Sequence, residues 1–251
     1  MPATIELTQT QTQNNFRIRR ILLTAPLDSD TIYSMKTTTV YPKSIKSPLV
    51  PSYQVLKKGS NNKKLGFKIT SNKWEGKNLY SLTLTERDTC PESCHHWEDC
   101  YGNNMPFAHR FSTLGLVQAV EEQIETLVKK HPKGIVIRLH VLGDFYSFDY
   151  VRFWEDMLLK FPTLCVFGYT AREHDGVIGG YIQFLNIQYP ERFVIRFSRS
   201  KETKRIGLWY AAEESFTGPS FTCPEQTGKL DSCAECGLCW TAQRTVRFLS
   251  H

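Results

Sequence analysis

Two groups of cysteines are the residues of this chain whose type and spacing best suit metal chemistry. The first group supplies three thiols within 11 residues, at Cys90, Cys94 and Cys100. The second group has the spacing C-x9-C-x2-C-x2-C and consists of Cys223, Cys233, Cys236 and Cys239. The eighth cysteine, Cys165, lies between two apolar residues and is predicted to be a buried core thiol.

The first group predicts a metal centre with an open coordination position. Three thiolates on one loop can bind three irons of a 4Fe–4S cluster, which leaves the fourth iron available to a ligand. Zinc is the alternative at this loop, with His95 or His96 as the fourth ligand.

The second group predicts a closed centre, because four thiolates saturate the metal. Zinc usually takes paired C-x2-C turns from two separate loops. Three cysteines two residues apart, together with a Cys-Pro elsewhere, are closer to the ferredoxin arrangement of a 4Fe–4S cluster. We therefore expect a structural or electron-transferring iron–sulfur centre, with zinc as the alternative metal.

Composition indicates a folded protein of the cytoplasm. The chain has 251 residues, 41% of them hydrophobic, and no run approaches the about 18 apolar residues that cross a membrane. Thiols stay reduced in the cytosol, so clustered cysteines there indicate metal binding or catalysis rather than disulfides. We expect no membrane partner.

The charge of the chain is unevenly distributed. Residues 1–80 hold 13 Lys and Arg against 4 Asp and Glu, whereas residues 81–251 hold 18 against 21. A basic arm of this kind can steer a protein towards nucleic acid, with Lys57–Lys64 as the densest basic loop. The alternative interpretation is a solvated leader that has no such partner.

Strands and helices alternate in the middle of the chain. Predicted strands cover residues 79–85, 134–141, 164–170 and 193–198, and a short strand covers 245–249. Predicted helices cover residues 111–130, 177–188 and a segment that ends at 161 and is capped by Ser147 or Asp149. This order predicts an α/β fold, a partial parallel (β/α) barrel. We divide the chain into a poorly ordered basic leader (1–50), a core domain with the first cysteine group (51–200) and a cysteine-rich C-terminal extension (201–251).

Ligands of parallel α/β folds bind at the carboxyl ends of the strands, so the residues there are candidates for a site. Asp144, Arg138 and His140 are the candidate catalytic residues, since Arg138 and His140 should share one face of their strand. The candidate cofactor-binding residues are Gly143, Asp144, Ser198, Arg199 and Ser200. Asp144 could instead cap a helix, and the two basic residues could instead pair with a neighbouring strand.

Several motifs together resemble the gene product 88 family of phage and plasmid proteins. The matching stretches are Leu56–Gly66, Thr89–Tyr101, Arg138–Phe145, Tyr169–Arg172 and the terminal cysteine run.

The layout is also similar to that of radical S-adenosylmethionine enzymes. That resemblance implies S-adenosylmethionine at an open 4Fe–4S cluster, an auxiliary C-terminal cluster and a reductant protein as partner. It further implies that Asp144 meets the amino group of the cofactor, while Ser198, Arg199 and Ser200 meet its ribose and carboxylate. The chain departs from that pattern in having C-x3-C-x5-C where C-x3-C-x2-C is usual, and Leu-Gly-Asp where Gly-Gly-Glu is usual.

Two functional hypotheses follow from the sequence. The first is an iron–sulfur enzyme of the radical S-adenosylmethionine type, whose substrate the sequence does not name. The second is a metal-stabilised, nucleic-acid-binding accessory protein of a mobile element that has no catalytic activity.

Overall fold

A mostly parallel sheet of eight strands organises the protein. The computed structural model describes residues 39–198 and 207–250. Its strands are β1 (Ile45–Lys46), β2 (Lys57–Lys58), β3 (Asn78–Ser81), β4 (Arg110–Phe111), β5 (Ile135–Leu139), β6 (Cys165–Thr170), β7 (Phe193–Ser198), β8 (Trp209–Ala212), β9 (Ser220–Thr222) and β10 (Thr245–Arg247). Its helices are α1 (Leu116–Lys130), α2 (Phe148–Lys160), α3 (Val177–Gln188), α4 (Cys233–Cys236) and α5 (Leu238–Thr241).

The strand order of the main sheet is β2-β3-β5-β6-β7-β8-β10-β9. All neighbouring pairs are parallel except β2 and β3. The predicted α/β class with a largely parallel sheet is therefore confirmed. In the described part of the chain the sheet is open rather than closed into a barrel, because it ends at β2 on one side and β9 on the other.

Helices α1, α2 and α3 cover one face of this sheet. Helix α2 connects β5 to β6 and α3 connects β6 to β7, whereas α1 follows β4 and precedes β5, the sheet neighbour of β3. Right-handed crossovers between adjacent parallel strands put such helices on the same side. Their apolar residues pack with alternate residues of the strands, such as Ile135, Ile137 and Leu139 of β5. None of the helices in the described residues is long and apolar enough to cross a membrane.

The opposite face of the sheet is covered by two cysteine-bearing helices and by the segment before β3. Val136 of β5 and Phe167 of β6 pack there against Trp74 and Trp240. The C-terminal residues 207–250 also add three strands to the sheet. The segment predicted as an extension from residue 201 is thus part of the core architecture.

Local signals explain where the helices begin. Ser147 caps α2, its hydroxyl oxygen accepting a hydrogen bond from the backbone N–H of Tyr150 at 3.1 Å. Helix α1 begins at Leu116 rather than at the predicted residue 111, because Arg110–Phe111 forms β4 and Gly115 takes a left-handed φ of 75°.

The N-terminal boundary also differs from the prediction. Residues 1–38 lie outside the described residues, but 39–50 contain β1, which pairs in parallel with β4.

Candidate metal centres

The four C-terminal cysteines line one small pocket together with apolar side chains such as Phe221, Trp240 and Val246. Cys223, Cys233 and Cys239 are buried, and Cys236 is partly exposed. Four thiols converge here although nine residues separate the first from the second in the sequence. The structure thus brings together every cysteine predicted for the second group.

Backbone hydrogen bonds from the segment before β3 hold this cysteine segment in place. Cys233 donates its N–H to the carbonyl of Lys64 at 2.8 Å, and the side-chain amide of Asn72 donates to the carbonyl of Cys236 at 3.0 Å. Gly237 joins α4 to α5 at φ 65°, and a Cβ there would lie 2.1 Å from the Asn72 amide nitrogen. Only a glycine fits this turn between the last three cysteines.

The sulfurs also receive hydrogen-bond donors. Backbone N–H groups donate to Cys223 and Cys236, and the Tyr169 hydroxyl donates to the Cys239 Sγ at 2.9 Å. Burial raises the pKa of Cys223, Cys233 and Cys236 despite these donors. Burial therefore favours the protonated form of these three thiols, and a metal that bound them would have to displace their protons.

Arg196 of β7 lies fully buried beneath the cysteine segment. Its Nε donates to the carbonyl of Cys239 at 2.8 Å, and one terminal nitrogen donates to the carbonyl of Arg244 at 3.0 Å. Further bonds reach the carbonyl oxygens of Tyr210, Leu238 and Ala242. One guanidinium thus ties the cysteine segment to the sheet.

Arg138 of β5 lies on the same face of the sheet. Its guanidinium stands 4.3 Å from the ring centroid of Tyr169 and 5.6 Å from that of Phe167. Its Nε is buried and has no hydrogen-bond partner. Two arginine side chains are therefore held close to the four-cysteine pocket.

The structure separates Arg138 from His140, which the sequence had placed on one face. Strand β5 ends at Leu139, so the alternation stops before His140. The His140 ring packs on Phe145 and Tyr150 of the helix-side core, with its Nε2 3.0 Å from the Tyr150 hydroxyl. Burial, with a smaller effect of the Arg138 charge, lowers the pKa of His140 to about 3. His140 is thus a buried residue of the helix-side core, on the opposite face from Arg138.

The first cysteine group lies on the loop after β3. All three thiols are partly exposed. Burial, then the charge of Asp144, raises the pKa of Cys90 to about 12, while the backbone N–H of Arg87 hydrogen-bonds this sulfur and opposes the rise. Cys94 and Cys100 contribute to the same electrostatic environment, so the three thiols and Asp144 are neighbours.

Two arginines fix the shape of this loop. The Arg87 side chain donates to the carbonyl of Trp97 at 2.9 Å and to the Asn103 side chain at 3.0 Å. Arg110 is fully buried, pairs with Glu86 at 2.6 Å and donates to the carbonyl of Gly102 at 2.9 Å. The hydrogen bonds of these two arginines thus hold the loop in a defined conformation.

Gly143 and Asp144 lie against this loop and contact protein groups. A Cβ on Gly143, whose φ is 83°, would lie 2.5 Å from the Thr89 hydroxyl, so this glycine lets the cysteine loop approach β5. The Asp144 carboxylate accepts hydrogen bonds at 2.7 Å from the N–H of Phe145, the hydroxyl of Thr170 and the N–H of Ala171. Burial raises the pKa of Asp144 to about 6. Asp144 is a positioning residue that joins the carboxyl ends of β5 and β6.

The structure says less about the remaining residues that were predicted to bind a ligand. Ser198 is exposed at the end of β7, and Arg199 and Ser200 lie outside the described residues. His96 is exposed, with its ring nitrogens 3.2 Å from Asp99 and 3.3 Å from Glu213. These contacts direct His96 towards carboxylates, and His95 is exposed as well.

Two lysines of the Lys57–Lys64 loop contact different parts of the protein. Lys58 stands over the ring of Phe67, and Lys64 pairs with Glu225 at 3.3 Å beside the C-terminal pocket. Lysines that are close in sequence thus contact different neighbours.

Sequence reasoning did not assign Tyr169, Asn72 or Trp74 to the second centre. Trp74 stacks on Trp240 with ring centroids 5.1 Å apart. The only signal for Tyr169 was its position two residues after Phe167 on β6, which places both on one face.

The sequence matches a known protein family. The Gene product 88 family matches residues 54–242 of the chain. The chain belongs to this family. The Gene 88 protein of Mycobacterium phage L5 is 27% identical over 158 residues, which is 53% of this chain and 63% of that protein. The chain therefore spans less than two thirds of the length of this family relative, and no solved structure matches it.

Proposed function

We propose that the chain is an iron–sulfur protein with two centres of different kinds. Cys223, Cys233, Cys236 and Cys239 would hold a closed 4Fe–4S cluster, and Cys90, Cys94 and Cys100 would hold a cluster with one open iron position. The observation that carries the proposal is that four thiols line one pocket, whose Cys239 backbone carbonyl accepts a hydrogen bond from the buried Arg196.

The charges around the C-terminal pocket favour an anionic occupant. Four thiolates and their metal make a negatively charged group, and a buried cation needs a compensating partner. Arg196 donates to carbonyl oxygens and Arg138 packs on aromatic rings, and within the described ranges neither forms a salt bridge. An anionic cluster would supply the charge that these two arginines lack.

The spacing of the thiols favours an iron–sulfur cluster over a single zinc ion. Tetrahedral zinc with Zn–S near 2.3 Å holds its thiolates about 3.8 Å apart. In residues 39–198 and 207–250 no three cysteine sulfurs lie within 4.8 Å of one another. A cluster accepts the wider spacing, because each thiolate binds a different iron.

The position of the first loop favours an open, reactive centre. Its three partly exposed thiols follow β3, beside residues that follow β5 and β6, at the edge of the sheet where α/β proteins bind ligands. S-adenosylmethionine is the ligand class we propose for this position, which makes the chain a divergent enzyme of the radical type, served by a reductant protein. When bound, such a cluster would supply electrons to its ligand.

The contribution of the chain itself is to shape and position the loop. Asp144 and Arg172 join it to the strand ends, since Arg172 donates to the carbonyls of Thr89 at 2.9 Å and Phe145 at 2.8 Å. Asp144 would act through these contacts and not by touching the cofactor, because its carboxylate is buried and occupied.

Electron paramagnetic resonance of the anaerobically purified, reduced chain tests the proposal. Two cluster signals are expected: Cys94→Ser should remove one and Cys236→Ser the other. Cys165→Ala is the matched control, because Cys165 is buried in the core outside both groups. S-adenosylmethionine should change only the signal that Cys94→Ser removes.

Three results bear against the proposal. Absence of any cluster signal would refute it as a whole. A signal that survives both serine substitutions would refute the ligand assignment. A first signal that S-adenosylmethionine leaves unchanged would refute the enzyme and leave an electron-transfer or structural role.

A further inference from the structure

An open groove lies beside the first cysteine loop, between residues 40–46 and residues 106–109. It has a volume of about 450 Å³ and is lined by Val40, Tyr41, Pro42, Lys43, Ser44, Lys46, Pro106, Phe107 and His109. Neither wall contributes a residue to the two cysteine centres. The proposed iron–sulfur function therefore does not account for this groove.

Exposed aromatic rings form one side of the groove. Phe107 is 95% exposed, which is unusual for a phenylalanine with no role at the surface. The neighbouring His109 ring packs edge-on against Tyr53 with centroids 5.6 Å apart. The Phe107 ring is thus open to a ligand, whereas the His109 ring already packs against Tyr53.

The other side of the groove is positively charged. Lys43 and Lys46 line it, and the charges of Lys57 and Lys46, after burial, lower the pKa of His109. Residues 39–74 contain eight lysines and no Asp or Glu. Carboxylates of this stretch therefore cannot neutralise the groove.

Free aromatic faces beside lysines are the elements with which proteins bind single-stranded nucleic acid. We propose that this groove binds a single strand of nucleic acid. Lys43 and Lys46 contact consecutive phosphates, and a base stacks on Phe107. A duplex fits less well, because its bases are already stacked on one another.

Charge favours a polyanion over the N-terminal segment of the chain as the occupant. Residues 1–38 hold four Lys and Arg against three Asp and Glu, so this segment is nearly neutral. An acidic peptide would satisfy the lysines but leave the Phe107 ring without a flat partner.

Fluorescence anisotropy with the full chain and labelled oligonucleotides of about 15 nucleotides tests this inference. Single-stranded DNA and RNA of matching sequence are compared with each other and with a duplex. Affinity for the preferred strand should fall about 7-fold between about 50 and about 200 mM salt, as expected for about two phosphate contacts.

Substitutions separate stacking from charge. Phe107→Ala should weaken single-strand binding about 5- to 100-fold and leave the salt dependence unchanged. Lys43→Gln with Lys46→Gln should weaken binding and flatten the salt dependence. The matched controls are Val177→Ala, which also removes an exposed apolar side chain, and Lys129→Gln with Lys130→Gln, which removes the same charge from the end of α1.

Each of the following outcomes would count against single-strand binding in the groove. Equal affinity of the Phe107→Ala variant and the parent chain, or equal loss from the control lysines, would show diffuse electrostatic binding and overturn the proposal. Tighter binding after removal of residues 1–36 would identify that segment as the occupant of the groove. Absence of binding to any oligonucleotide would also overturn the proposal.

Discussion

Replacing Arg196 with methionine should loosen the C-terminal cysteine segment from the sheet. The guanidinium donates to carbonyls of Cys239, Ala242 and Arg244, all in the segment that carries the last cysteines. Methionine fills a similar volume but donates no hydrogen bond, so these buried carbonyls lose their charged donor. The change tests whether one side chain couples the pocket to the sheet.

The size of the effect follows from the number of carbonyls that lose a donor. Leaving a buried polar group without its partner costs about 1–3 kcal/mol, and the losses at the five carbonyls that share this one donor side chain are not additive. We expect the free energy of unfolding of the metal-free chain to fall by about 3–5 kcal/mol. Removing the buried positive charge should also weaken metal retention at this centre alone.

Urea unfolding followed by circular dichroism measures the first effect, and metal content after gel filtration measures the second. Arg192→Met is the matched control, since the Arg192 guanidinium makes its shortest bond, 2.8 Å, to the single carbonyl of Leu158. The control should lose about 1 kcal/mol. If Arg196→Met lost no more stability than Arg192→Met, the coupling role of Arg196 would be wrong.

Three further predictions concern the first loop and the second centre. Gly143→Ala should lower the urea midpoint of unfolding and release metal from the first loop, because the new Cβ would lie 2.5 Å from the Thr89 hydroxyl. Urea unfolding and metal content measure these two effects. Burial raises the pKa of Asp144 from 3.8 to about 6, so the folded state holds this proton more tightly. The free energy of unfolding should therefore fall by up to about 3 kcal/mol as the pH rises from about 4 to about 6, and Asp144→Asn should flatten this part of a stability–pH profile. Tyr169→Phe removes the hydroxyl that donates to the Cys239 Sγ, so the reduction potential of the proposed C-terminal cluster should become more negative in spectroelectrochemical titration.

The central α/β unit could be predicted from sequence because its signals are local. Helix α3 and strand β7 begin and end at the predicted residues, and Ser147 caps α2 as one of two predicted candidates. Cys165 lies in the core as its apolar neighbours indicated. Each of these depends on a periodic pattern or a cap within a few residues of chain.

In the C-terminal part only the short strand at 245–249 was predicted, and β10 (Thr245–Arg247) lies there; the order of the strands could not be predicted, because it depends on contacts distant in sequence. Strands β8 and β9 are three or four residues long, and β10 inserts between them, a pairing that no local pattern specifies. The hydrogen bond from Asn72 to the carbonyl of Cys236 joins residues that are 164 positions apart in the sequence.

The candidate site was predicted in part. The approach of the first cysteine loop to Gly143 and Asp144 followed from parallel strands ending at one edge. The role of Asp144 did not, because whether a carboxylate faces a ligand or is saturated by backbone donors depends on the turn after β6. The separation of Arg138 from His140 likewise depended on where β5 ends.

Iron and inorganic sulfide content of the anaerobically purified chain tests the central claim most directly. Two 4Fe–4S centres predict equal amounts of iron and sulfide, near eight of each per chain, with about half lost in the Cys236→Ser variant. Zinc without sulfide, or an iron content that Cys236→Ser leaves unchanged, would contradict the assignment of the four-cysteine pocket as an iron–sulfur centre.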